Sequence, residues 1–288
     1  MSEPDGTSAA PGRDRGAAGP MLICEEVSRH FGALKAVDRL SFEIARGEVL
    51  GIGGPNGAGK TTLFDLISGL TRVTGGSIRL DGVEITDLPP DRTCHLGLAR
   101  TFQLNAGFEP LSALENVVVA ALFGRRRRLF PGLLIDGRTK RRAGDALARV
   151  GLADRAHVRV EAMTVLERKL LMIAGAMVME PKLLMMDEPV GGLTPEEIAR
   201  VHAVVAEIAR EGTTILLIEH VMQFLMSLSD RILIMHHGQK LFEGRPADIS
   251  RDPEVVRVYL GERAAARLAQ SFEAESARPQ APAGEAHA

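Results

Sequence analysis

The sequence predicts an α/β fold in which a parallel β-sheet carries helices on its faces. Three runs with the character of buried strands, Lys182–Met186, Thr214–Ile218 and Arg231–Met235, are each separated from the next by a helical segment. A further apolar strand, Glu48–Gly53, runs directly into a glycine-rich turn that opens a helix. Such alternation indicates parallel strands, because each crossover helix returns the chain to the same end of the sheet.

The composition is that of an ordinary globular chain. Of its 288 residues, 45% are hydrophobic and 25% are charged, and tryptophan is absent, so the core must be mainly aliphatic. The net charge of −2 gives no overall attraction to nucleic acid or acidic lipid. Cys24 and Cys94 lie far apart and outside any CxxC pattern. This argues against a disulfide framework or a zinc site and suits a reducing cytosol.

No segment of the sequence is long and apolar enough to cross a membrane. The longest apolar runs, around Leu170–Met179 and Val117–Phe123, fall short of the ~18–20 residues that span a bilayer. The N-terminus also lacks the apolar stretch of a secretory signal. We therefore expect any role at a membrane to come through a partner.

Both ends of the chain are predicted to be disordered tails. Residues 1–20 are rich in Gly, Ala, Pro and Ser and show no hydrophobic period, and residues 262–288 are similar, with a frayed helix at Arg263–Ala274 as the alternative for part of this tail. The domain itself is expected to occupy residues 21–261.

The domain is predicted to begin with short strands. Met21–Val27 and Leu40–Ile44 have strand character. Further on, Asp81-Gly82 separates the strands Ser77–Leu80 and Val83–Ile85, and this dipeptide favours a tight hairpin.

A mostly helical insert is predicted from Leu111 to about Leu171, between the two halves of the sheet. It carries basic runs at Arg125–Arg128 and Arg138–Arg142. A solvated face is one interpretation of these runs, and contact with anionic lipid or with a membrane partner is the other. Nucleic acid is not favoured, because aromatic residues are not interleaved with the charges.

The glycine-rich turn after the apolar strand predicts a phosphate-binding loop. Residues 54–61 read G-P-N-G-A-G-K-T, which matches the pattern G-x-x-x-x-G-K-T. Glycines allow backbone N–H groups to turn toward phosphate oxygens, and the helix that follows points its positive end at them. Lys60 can place a charge on the β- and γ-phosphates, and the Thr61 hydroxyl can ligate Mg²⁺.

Polar side chains follow the ends of three further strands. Asp187 and Glu188 end an apolar strand, at the edge of the sheet where ligands bind, so Asp187 is placed to hold Mg²⁺ and Glu188 to polarise a water. Alone, such a pair would more often cap a helix. His220 follows Thr214–Ile218 at the same edge and is expected to contact the γ-phosphate, while Gln103 closes the short strand Leu98–Phe102.

These features in this order resemble the ATPase subunit of an ATP-binding cassette (ABC) transporter. The order extends over about residues 21–261 and differs from that of kinases and GTPases, which share only the glycine loop. The resemblance implies a P-loop NTPase core of the ABC type with an antiparallel β subdomain and a helical subdomain at about 104–178. It also implies ATP and Mg²⁺ as cofactors.

The resemblance implies roles for individual residues. Phe31 would stack on adenine, Gln103 would sense Mg²⁺ and the membrane subunit, Glu188 would be the catalytic carboxylate, and His220 would be the switch histidine. Gly191–Thr194 would form the loop that crosses to a partner ATPase. The implied ATP-binding residues are Phe31, Gly54, Pro55, Asn56, Gly57, Ala58, Gly59, Lys60, Thr61 and Thr62, and the implied Mg²⁺ ligands are Thr61, Gln103 and Asp187.

The family signature, LSGGQ, is degenerate in this chain. Thr164 keeps a hydroxyl at the serine position, but Val165, Leu166 and Glu167 replace the residues that follow. A side chain at Leu166 is expected to hinder the approach of a γ-phosphate held by a partner's loop. This predicts a heterodimer with one strong and one weak hydrolytic site. The alternative is that Thr164 and the helix N-terminus suffice.

Longer strings resemble the ATP-binding subunit of branched-chain amino acid importers. They are GLARTFQ, LENVVVAALFGR, DEPVGGLTPEE, IEHVM and DPEVVRVYLGE. The implied partners are a second ATPase subunit, two membrane permeases and, indirectly, a substrate-binding protein, and the implied place is the cytoplasmic face of the cell membrane. The substrate stays open among hydrophobic amino acids, amides and urea. An ATPase of a lipid or polysaccharide exporter and a non-transport ABC ATPase are the alternatives.

Overall fold

Two β-sheets form the framework of the protein. The computed structural model describes residues 19–101, 107–124 and 136–261. Within these ranges, one sheet has six strands in the order β10-β9-β3-β8-β7-β6. From β6 to β9 the neighbouring strands are parallel, and β10 pairs antiparallel with β9. The strands are β3 (Val49–Gly53), β6 (Leu98–Thr101), β7 (Leu183–Asp187), β8 (Thr214–Ile218), β9 (Arg231–His236) and β10 (Gln239–Gly244).

The second sheet is antiparallel, in the order β2-β1-β4-β5. Its first two strands extend beyond the predicted ones, because the β1–β2 hairpin continues past the core, where apolar residues are not needed. Register shifts in this pair also interrupt the two-residue alternation that marks a strand in a sequence. The strands are β1 (Leu22–Phe31), β2 (Leu34–Ile44), β4 (Gly75–Leu80) and β5 (Val83–Glu84).

Helices occupy both faces of the parallel sheet. In the described part of the predicted helical insert there are three packed helices, α3, α4 and α5, with short 3₁₀ turns at Ala153–Arg155 and Val160–Ala162. The helices are α1 (Lys60–Ile67), α2 (Pro90–His95), α3 (Ala113–Phe123), α4 (Gly137–Arg149), α5 (Val165–Met177), α6 (Pro195–Arg210), α7 (Met222–Leu228) and α8 (Pro253–Val255), which runs into a π-turn at Val256–Leu260.

The parallel strands are buried on both faces, which explains their unbroken apolar sequences. Alternate residues of β8 belong to two separate cores: Leu216 packs with the antiparallel sheet and α1, while Ile215 and Leu217 pack with α5, α6 and α7. The expected α/β fold with an antiparallel and a helical part is thereby confirmed. None of the helices in the described ranges has both the length and the apolar character needed to cross a bilayer.

Several predicted features lie outside the described residues. These are residues 1–18 of the N-terminal tail, the tail from 262 to 288, Gln103 and the Arg125–Arg128 run.

Candidate functional site

The candidate site lies where β3, β7 and β8 end at one edge of the sheet. The register places Ile218 of β8 beside Ile52 of β3 on one side and Asp187 of β7 on the other. The glycine loop, the acidic pair and His220 therefore leave the sheet next to one another, as parallel strands require.

The glycine loop turns tightly between β3 and α1. Gly54 has φ 139° and Gly59 has φ 100°, backbone conformations that other residues rarely adopt. A Cβ at Gly54 would lie 2.2 Å from the carbonyl oxygen of Met235, and a Cβ at Gly59 would lie 2.1 Å from that of Ala36. Both glycines are therefore required by sterics as well as by backbone angle.

The N-terminus of α1 is free to receive an anion. Gly59 is its N-cap, no side chain caps the helix, and its first turn contains no acidic residue. The first N–H groups of the helix thus keep their hydrogen-bonding capacity and their partial positive charge.

Lys60 lies under the loop, buried among polar atoms. Its Nζ donates hydrogen bonds to the carbonyl oxygens of Gly54 at 2.7 Å and of Pro55 at 3.0 Å. Burial lowers the pKa of Lys60, and attraction to Glu188 and Asp187 opposes that shift. The ammonium group is therefore held between the loop and the acidic pair, where a phosphate would neutralise it.

Asp187 is buried at the end of β7, and its two carboxylate oxygens differ. Oδ2 accepts a hydrogen bond from Nη2 of Arg100 at 3.1 Å, and the same guanidinium group binds Asp65 of α1 at 2.7 Å. Oδ1 is buried and has no hydrogen-bond partner among the described residues. Burial raises the pKa of Asp187, and the charge of Arg100 opposes this.

A divalent cation fits this arrangement. The free, buried Oδ1 of Asp187 is a hard oxygen ligand of the kind that Mg²⁺ prefers, and the Thr61 hydroxyl lies in the first turn of α1. The third predicted ligand, Gln103, lies outside the described residues, and Thr101 of β6 is the last described residue before it.

Glu188 and His220 form a pair across the ends of β7 and β8. Nε2 of His220 lies 2.8 Å from Oε1 of Glu188, and both side chains are partly exposed. Glu188 has φ 49°, an unusual backbone angle for a residue other than glycine. The pair can orient a water toward a phosphate at the head of α1.

Three charged residues around the site were missed by sequence reasoning: Arg100, Lys169 and Glu219. Arg100 is the one charged residue of the short strand Leu98–Thr101, and this was the available signal for it, whereas Lys169 ends the charged run Glu167–Lys169 and had no comparable signal. Glu219 immediately precedes His220, and its carboxylate accepts hydrogen bonds from the backbone N–H groups of Val190, His220 and Val221.

Phe31 lies at the tip of the β1–β2 hairpin with 49% of its surface exposed. The guanidinium carbon of Arg29 lies 4.4 Å from the ring centroid. The cation covers one face of the ring, and an exposed aromatic surface is suited to stacking on a base. The same hairpin approaches the phosphate loop at Ala36, whose carbonyl oxygen lies beside Gly59.

The degenerate signature lies at the start of α5. The Thr164 hydroxyl accepts a hydrogen bond from the backbone N–H of Glu167, and the Glu167 carboxylate accepts one from the N–H of Thr164, forming a capping box. Leu166 is only 8% exposed because it packs into the core, whereas Val165 is 49% exposed. The Leu166 side chain therefore lies against the core and the outward side chain is Val165, while the effect of the degenerate signature on a bound phosphate stays a prediction.

Comparison with known proteins places the chain in a family. The model of the ABC transporter family matches residues 37–191. A model described as branched-chain amino acid ATP-binding cassette transporter matches residues 239–265.

Individual relatives agree with these matches. The chain is 38% identical to the high-affinity branched-chain amino acid transport ATP-binding protein LivG of Salmonella typhimurium, over 84% of this chain and 98% of that protein. It is 36% identical to BraF of Pseudomonas aeruginosa, of the same description, over 84% and 98%. An ATP-binding cassette of an ABC transporter, solved in its ADP conformation, has a TM-score of 0.77 and 28% identity, covering 85% of this chain and all of that one. The chain therefore belongs to the ABC transporter family as an ATP-hydrolysing, nucleotide-binding subunit, in the group of the branched-chain amino acid transport ATP-binding proteins.

Proposed function

We propose that this chain powers the import of branched-chain or other hydrophobic amino acids through separate membrane permeases. The observation that carries the proposal is the meeting of the glycine loop, Asp187 and the Glu188–His220 pair at one edge of the sheet. The match of residues 239–265 to the branched-chain model supports an importer over an exporter or a non-transport ATPase.

In the proposed mechanism, the glycine loop and Lys60 bind the β- and γ-phosphates. Glu188 accepts a hydrogen bond from the attacking water and thereby polarises the water. His220 orients the Glu188 carboxylate and also contacts the γ-phosphate. Thr61, Gln103 and Asp187 would hold Mg²⁺, which would neutralise charge on the phosphates. Positioning and electrostatics thus supply most of the catalysis.

The proposed complex contains a second ATPase subunit, two permeases and, through them, a substrate-binding protein. The chain would lie peripherally on the cytoplasmic face of the membrane. Each ATP would be bound between one subunit's glycine loop and the other's signature. The exposed Val165, next to the hydroxyl of Thr164, would face the nucleotide on the partner's loop. We propose that this makes the two sites of a heterodimer unequal.

Phe31→Ala is expected to weaken ATP binding without abolishing it. Loss of one stacking interaction of about 1–3 kcal/mol corresponds to a Kd raised about 5- to 150-fold. Titration with a fluorescent ATP analogue measures the change. Leu34→Ala, which removes an exposed apolar side chain from the same hairpin, is the matched control and should leave Kd unchanged. An unaltered Kd in the Phe31 variant would refute stacking of the Phe31 ring on adenine.

Reconstitution tests the transport function. The chain would be assembled in proteoliposomes with the two permeases, the second ATPase and the substrate-binding protein of the proposed complex. We expect uptake of radiolabelled leucine that requires ATP and is lost with Lys60→Ala. Intact ATP hydrolysis without uptake of any hydrophobic amino acid would refute the proposed substrate class.

A further inference from the structure

The backbone at Glu188 is held in an unfavourable conformation. Its φ of 49° lies in the left-handed region, which disfavours residues that carry a Cβ. Such a conformation persists only where the surroundings hold it in place. The backbone N–H of Glu188 donates to the carbonyl oxygen of Ile218 at 2.9 Å, which secures one side of the residue.

Lys169 secures the other side. Its Nζ donates a hydrogen bond to the backbone carbonyl oxygen of Glu188 at 2.8 Å. Lys169 is only 4% exposed, although it lies on α5, the helix that begins at the degenerate signature. Burying an ammonium group is costly, so a buried lysine that donates to one carbonyl in the site requires an explanation.

A buried carboxylate compensates this charge. Glu219 is 1% exposed, and it accepts hydrogen bonds from the N–H groups of Val190 at 2.8 Å and of His220 at 2.8 Å. Its charge and that of Glu188 both stabilise the ammonium form of Lys169 against the effect of burial, which lowers the pKa. Each member of the Glu188–His220 pair is therefore hydrogen-bonded through its backbone to a buried charged group, Glu188 to Lys169 and His220 to Glu219.

We infer that Lys169 is a positioning residue that links the signature helix to the Glu188 carboxylate. A displacement of α5 would be transmitted through the Lys169–Glu188 hydrogen bond to the strained backbone and so to the carboxylate beside His220. Contact of a partner with the start of α5 would thereby adjust this chain's own site as well as the partner's. This inference rests on the proposed role of Glu188.

Lys169→Met tests the inference, because methionine has similar length but no donor. In the complex assembled with the partner ATPase, we expect kcat for ATP hydrolysis to fall about 10- to 100-fold, with the KM for ATP within about twofold. Lys169→Arg, which keeps a donor, should restore most of the rate. Lys140→Met, which removes an exposed lysine from α4, is the control and should behave as the unmodified protein.

A double-variant cycle separates positioning from a general loss of structure. In a Glu188→Gln background, Lys169→Met should alter the residual single-turnover rate by less than about twofold, since the carboxylate that it positions is absent. The same fold loss in both backgrounds would overturn the inference.

Hydrogen exchange provides a measurement that does not depend on turnover. With ATP bound, amides of residues 187–192 should exchange faster in Lys169→Met than in the Lys140→Met control. Unchanged exchange together with unchanged kcat would also overturn the inference.

If the Met variant does not fold, Lys169→Gln, with a shorter polar side chain, is measured in its place with the same expectation. Retained turnover in Glu188→Gln alone would instead refute the proposed role of Glu188.

Discussion

Lys60→Ala is expected to abolish tight binding of ATP. The Lys60 ammonium group is buried beneath the glycine loop, where its Nζ already lies 2.7 Å from one loop carbonyl and 3.0 Å from another. Each charge-assisted hydrogen bond contributes about 1.5–3 kcal/mol, so loss of contacts to two phosphates should raise Kd at least about 100-fold. Isothermal titration with ATP measures this directly.

A matched variant separates the loss of this lysine from a general loss of charge. Lys182→Ala removes an exposed lysine that pairs with Asp81 on the surface, and we expect its Kd for ATP to be unchanged. Circular dichroism would show that both variants are folded, which matters because Lys60 also ties the loop together. A Kd within about threefold of that of the unmodified chain would exclude Lys60 from phosphate binding.

Glu188→Gln is expected to leave ATP binding intact and to stop turnover. Glutamine keeps the shape of the side chain and can still meet His220, but it cannot act as a base toward water. Loss of general-base catalysis typically costs about 10²–10⁴-fold in rate. The measurement is kcat from phosphate release beside Kd from titration. Glu196→Gln, an exposed change in the first turn of α6, serves as the control. Normal hydrolysis by Glu188→Gln would refute its assignment.

The same substitution made in this chain alone tests the proposed asymmetry of the complex. The partner's signature would complete the site that contains this chain's glycine loop. Because the degenerate signature is in this chain, it would contribute to the other site, so the site with this chain's loop should be the stronger one. We therefore expect Glu188→Gln in this chain to remove most of the ATPase activity of the assembled complex. Near-full activity would show that the partner's site dominates instead.

Local features of the site were predictable from the sequence. Glycine at positions 54 and 59 reports a backbone geometry that side chains exclude, so the loop could be identified from eight residues. The apolar run that ends at Asp187 indicated a buried parallel strand, and the carboxyl ends of such strands share one edge. The extent of the β1–β2 hairpin was not predictable, because its outer part carries no apolar alternation.

The orientation of individual side chains also depended on packing. The sequence places a leucine at position 166 but does not tell whether its side chain points outward. Because Leu166 is buried, the side chain that we propose to hinder a phosphate on the partner's loop is the exposed Val165. Residues near a helix start lie on different sides of the helix, so the adjacent core decides which of them is hidden.

The sequence by itself determined the fold class, the family and the position of the phosphate loop, since these depend on local patterns and on residues adjacent along the chain. Only the tertiary structure decided that Arg100 occupies one oxygen of Asp187, that His220 meets Glu188, and that Lys169 holds the Glu188 backbone. These contacts join residues 19 to 87 positions apart, so they arise only when strand register and helix packing bring distant segments together.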